Sequence, residues 1–98
     1  MFEKELIQFI NKQIDTNLTE DISRHELQQK LSLFINDLIL NDFKKLISLL
    51  YKVDVDEKKL KRILKENAST DAGEIIADLV IEREIQKIKT RKEFSGKK

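Results

Sequence analysis

The chain has 98 residues, a formal net charge of +1, 40% hydrophobic and 38% charged residues, which fits one modest domain and leaves no apolar run long enough to span a bilayer. The absence of proline and the presence of only two glycines argue for amphipathic helices and against a turn-rich sheet protein. With no cysteine there is no disulfide framework, no thiolate zinc site and no cysteine nucleophile, and a reducing, cytoplasmic setting is the expectation.

The opening MFEKELIQFINKQ lacks a basic segment followed by a long apolar run, so it does not read as a secretory signal. Phe2, Leu6, Ile7, Phe9, Ile10 and Ile14 instead recur at helical spacing, predicting a first helix over about residues 2 to 15. Asp15-Thr16-Asn17 stops it. Thr19 or Ser23 can cap the next helix, and Ser23 has Glu26 in the reciprocal position. Leu27, Leu31, Phe34, Ile35, Leu38 and Ile39 give that second helix a clean stripe, and Asn41-Asp42 turns the chain into a third from about Phe43. On the third helix Phe43, Leu46, Ile47, Leu50 and Val53 are assigned to the core, leaving Leu49 and Tyr51 off the stripe as surplus apolar residues.

Asp54, three residues before Glu57, is read as the cap of a short fourth helix in which Leu60, Ile63 and Leu64 lie beneath a lysine-rich face. After the turn Asn67-Ala68-Ser69-Thr70, Asp71 with Glu74 opens a long C-terminal helix running to about Phe94. Its first half, Ala72 to Ile81, is apolar on most sides and should be a core rod. The second half keeps only Ile85 and Ile88, so it should emerge from the body and carry an apolar stripe of Ile81, Ile85 and Ile88. Residues 95–98 read as a disordered polar tail. The glycosylation-like triplets Asn17-Leu18-Thr19 and Asn67-Ala68-Ser69 are better explained as helix ends. The expected architecture is all-α: a small irregular or orthogonal bundle of about five helices, forming a single domain over 1–94.

The charge is uneven. Residues 1–49 carry six Lys/Arg against eight Asp/Glu, and residues 50–98 carry thirteen against ten. The surplus sits in Lys58, Lys59, Lys61, Arg62 and Lys65, and again in Lys87, Lys89, Arg91 and Lys92. Catalytic patterns are weak by comparison. His25-Glu26-Leu27-Gln28-Gln29 begins like a zinc-protease helix but places Gln29 where the second histidine must stand. Asp54-Val55-Asp56-Glu57 resembles the start of a calcium loop, with Lys59 where glycine is needed and Lys65 at the final ligand position. Gly73 and Gly96 stand alone, so no phosphate-binding loop is present.

These readings point to a non-enzymatic protein-interaction or assembly module without a cofactor or metal. Its expected interface is Leu49, Tyr51, Ile81, Ile85 and Ile88, with homodimerisation through the C-terminal helix as one form of it. The alternative is nucleic-acid or nucleoprotein binding through the two basic clusters. The third and fourth helices imitate helix-turn-helix spacing, although Asp56-Glu57 would meet the phosphates first.

Overall fold

Short side-chain oxygens placed just ahead of apolar stripes set several of the helix starts. The computed structural model describes residues 3–14, 18–19, 22–67 and 69–95. Among them lie five helices and no strand: α1 (Glu3–Ile14), α2 (Arg24–Asn41), α3 (Phe43–Val53), α4 (Glu57–Glu66) and α5 (Ala72–Ser95). The expected all-α bundle is the observed one. Residues 96–98, most of the expected polar tail, lie outside the described residues, as do Phe2 and the 15–17 stop.

Ser23 is the cap of α2, its Oγ accepting from the Glu26 backbone N–H at 3.1 Å. Asp42 serves two helices. Its N–H donates to the Leu38 carbonyl at 2.9 Å, closing α2, and its Oδ1 accepts from the Lys45 N–H at 3.2 Å, opening α3. The link between α1 and α2 is fastened by Asn11, whose side chain both accepts from the Leu18 N–H and donates to the Leu18 carbonyl, each at 2.9 Å.

The junction of α3 and α4 differs from the expectation at one residue. Asp56 caps α4, its Oδ1 accepting from the N–H groups of Lys58 and Lys59 at 3.0 and 3.4 Å, while Asp54 ends α3 in the left-handed conformation at φ 66°. Aspartate tolerates that region better than most residues, and here the strain is offset from outside. Arg83 of α5 donates to the Asp54 carbonyl and to its Oδ2, each at 3.1 Å. Lys87 adds a bond to the Lys52 carbonyl at 3.4 Å, so two cations sit at the negative end of α3 and bind it to α5.

The core is one cluster built on the packing of α2 against α5. Leu27, Leu31, Ile35 and Leu38 of α2 meet Ile76, Ala77 and Val80 of α5, with Leu6, Ile7 and Ile10 of α1 and Leu46, Leu49 and Val53 of α3 closing the sides. α4 is the exception. None of its residues is buried, and Leu60, Ile63 and Leu64, expected inside, are only half-buried. No helix among the described residues is long and apolar enough to cross a membrane.

The start of α5 is held by tertiary bonds. Asp71 turns its carboxylate to α2, accepting from Asn36 Nδ2 at 2.8 Å and Ser32 Oγ at 3.4 Å, in place of the expected reciprocal cap with Glu74. Gly73 makes room for this contact, because a Cβ there would lie 2.5 Å from the Asn36 side chain. Gly73→Ala gains helix propensity of about 1 kcal/mol but must displace Asn36 from Asp71, a charge-assisted bond worth about 1.5–3 kcal/mol. The expected result is a net loss of about 1 kcal/mol. In an Asn36→Ala background the same change should stabilise, a sign reversal that urea unfolding of the double-mutant cycle would reveal.

Candidate functional site

α3 carries more apolar surface than the bundle can cover. At about 100° per residue, Leu49, Val53, Leu46, Leu50, Phe43, Ile47 and Tyr51 fan across roughly 200° of its circumference. The bundle takes the half bearing Leu46, Leu49 and Val53. The other half faces out: Phe43 is 58%, Ile47 40% and Tyr51 81% exposed. Their spacing of four residues makes them a single ridge along the helix.

Beside the ridge runs a groove of about 330 Å³ between α3 and α4, walled by Ile47, Leu50 and Tyr51 on one side and by Leu60 and Leu64 on the other. Val55 lies in the connection that joins the two walls, and Asp54, Glu57 and Lys61 supply polar edges. Glu57 and Lys61 form an exposed ion pair at 3.3 Å, which contributes little to stability but leaves both signs of charge at the rim. The groove is apolar because α4 covers α3 incompletely, the same fact that leaves α4 without a buried residue.

The expected interface residues are redistributed by this arrangement. Tyr51 stands on the ridge as anticipated. Leu49, Ile81 and Ile88 are 4%, 3% and 1% exposed and belong to the core, and Ile85 is half-buried against it. The stripe on the second half of α5 is therefore no free surface. α1 and α3 both pack on α5, with Lys92 paired to Glu5 at 3.0 Å and Arg91 laid over the Phe9 ring at 4.9 Å from its centroid. Phe43 and Ile47, assigned to the core from sequence, are two of the surface residues that sequence reasoning missed.

The two basic clusters also do not form one surface. On α4, Lys58, Lys61, Arg62 and Lys65 are exposed, while Lys59 shares an open cleft with Lys89 of α5. That cleft also holds Arg24 and Arg83 opposite Asp54, Asp56 and Glu82, so its charges nearly cancel. Lys87, Arg91 and Lys92 turn the other way, towards α1 and the end of α3. His25 is exposed at the start of α2, in an open depression with Asp78 and Glu82. Among the described residues no group of three or more His, Asp or Glu side chains could hold a metal ion.

One buried charge stands apart from both surfaces. Glu84 is 0% exposed, and neither carboxylate oxygen has a hydrogen-bond partner among the described residues. Its nearest cation is Lys87, with Nζ 3.9 Å from Oε1. Burial pushes the Glu84 carboxyl above its ordinary range, against the opposing pull of the Lys87 and Arg83 charges. The sequence signal was readable: Glu84 lies four residues after Val80 and four before Ile88, in the middle of the buried stripe.

Comparison with protein-family models, with curated proteins and with solved structures gives no match to this chain.

Proposed function

We propose that the chain is a non-enzymatic assembly module that pairs with a second copy of itself through the α3–α4 face. The observation that carries this is the uncovered half of α3: a convex ridge of Phe43, Ile47 and Tyr51 lying directly beside a concave apolar groove. Under a twofold axis the ridge of one copy can enter the groove of the other, and the reverse contact is made at the same time. Glu57 and Lys61 at the rim give each copy an acid and a base to offer across the axis. The three ridge side chains expose on the order of 350 Å², the size of the largest apolar patch on a typical monomer, which is often functional, and they include two of the aromatic residues that interfaces favour. The cysteine-free composition fits a reducing compartment such as the cytoplasm.

A ridge of this area with its groove walls falls below the roughly 800 Å² per partner of a standard interface, so the expected dimer is weak, with a dissociation constant on the order of 10–100 μM. Sedimentation velocity over a concentration series tests it. Ile47→Asp should weaken self-association by at least about tenfold, because a carboxylate would be desolvated at the centre of the contact, while leaving the melting temperature close to wild type. A wild type still monomeric at about 1 mM, where even 4 kcal/mol of association would show, overturns the reading.

A further inference from the structure

A second surface, on a different side of α3, carries a separate inference. Lys52 lies about 140° around α3 from Ile47, and it looks into an open cleft of about 760 Å³ between α1 and the end of α5. Lys12 of α1, Lys52 of α3, and Arg91 and Lys92 of α5 line this cleft, with Glu5 as the one acid among the described residues. These described lining residues together carry +3, whereas the whole chain carries +1. Four cations drawn from three helices are held together against their mutual repulsion.

Glu5 pairs with Lys92 at 3.0 Å, but Lys12 and Arg91 make no hydrogen bond or ion pair among the described residues. Arg91 is nevertheless fixed in place. Its intrinsically planar guanidinium lies over the half-buried Phe9 ring at 4.9 Å from the centroid, a plate backed by the ring with its N–H donors left for a ligand.

We infer that this cleft binds the phosphodiester backbone of a single-stranded nucleic acid. Cations spaced along a trough follow a flexible backbone, and a guanidinium plate backed by an aromatic ring offers a stacking surface to an unpaired base. A duplex is a poorer occupant, since the cations sit in a concave site between helices instead of on a projecting element that could enter a groove. An acidic peptide would satisfy the charge but would have no use for the plate.

The test is fluorescence anisotropy of a labelled single-stranded RNA of about 20 nucleotides with the full chain. The combined variant Lys12→Gln, Lys52→Gln, Arg91→Gln is compared with a control, Lys58→Gln, Lys61→Gln, Arg62→Gln, which removes as many charges from α4. All three cleft substitutions are at solvent-accessible positions, and far-UV circular dichroism and a melting curve confirm that each variant folds. About four phosphate contacts give a salt slope near −2.8, so wild-type affinity should fall about 50-fold between 50 and 200 mM salt. The cleft variant should lose at least about 30-fold in affinity at 50 mM salt and flatten the slope by about 2, while the α4 variant stays within about threefold of wild type. Polyglutamate at equal charge should compete poorly. No binding at 50 mM salt, equal losses in the two variants, or equal competition by polyglutamate would each overturn the assignment.

Discussion

Glu84→Leu should make the protein more stable at pH 7 by about 2 kcal/mol, raising its melting temperature by roughly 10 °C. The carboxylate is fully buried and both its oxygens lack hydrogen-bond partners among the described residues, with only the Lys87 ammonium at 3.9 Å to offset the loss of water. A leucine of similar reach extends the row formed by Ala77, Val80 and Ile88. Glu84→Gln removes the charge and keeps the shape, so it should recover about half of the gain. The pH dependence follows from the raised ionisation range. The folded protein holds the Glu84 proton to higher pH than the unfolded chain does, so the favourable contribution is complete below the ordinary glutamate range. It is lost as pH rises through the raised value. The stability difference between Glu84→Gln and wild type should accordingly grow on going from pH 4 to neutral pH. Urea unfolding of both proteins across that interval measures it, and a flat or inverted difference would mean that the carboxylate is solvated or well paired in the folded state.

How much of this was legible in the sequence depended on whether a decision was local. Ser23 was readable because an N-cap needs only its own side chain and the amides two or three residues ahead, and Asp42, read only as a corner, is a cap of the same local kind. Asp54 and Asp56 are both competent caps two residues apart, and the choice between them involves Arg83, which is 29 residues from Asp54. The rotation of α3 was hidden for a related reason. An apolar arc of roughly 200° states that both halves can be buried but not which half the bundle will take. Once Leu46, Leu49 and Val53 went inside, Phe43 and Ile47 were left facing water. The cleft was out of reach altogether, since Lys12, Lys52 and Arg91 lie about forty residues apart in succession and meet only when α1, α3 and α5 pack. Glu84 was missed although its signal was in the sequence, because a charge spaced four residues from both Val80 and Ile88 breaks a core stripe at its centre.

Ile88→Asp is expected to unfold the chain, whereas Tyr51→Asp is expected to leave it folded. From sequence, both residues belonged to one exposed interface, so the pair separates a surface on α3 from a core position on α5. Ile88 is 1% exposed, and truncating such a side chain already costs about 2–5 kcal/mol. A carboxylate placed there adds the penalty of a buried charge, and it arrives one helical turn from the buried Glu84, where repulsion between two carboxylates replaces apolar packing. The total approaches the whole stability of a domain of this size, about 5–10 kcal/mol. Tyr51 is 81% exposed, and its replacement should shift stability by no more than about 0.5 kcal/mol. Far-UV circular dichroism at 25 °C should show helix loss for Ile88→Asp and a wild-type spectrum for Tyr51→Asp. A folded Ile88→Asp whose only defect is dissociation of an oligomer would reverse the argument, returning the interface to the C-terminal helix and removing α1 from the place that gives this bundle its closed side.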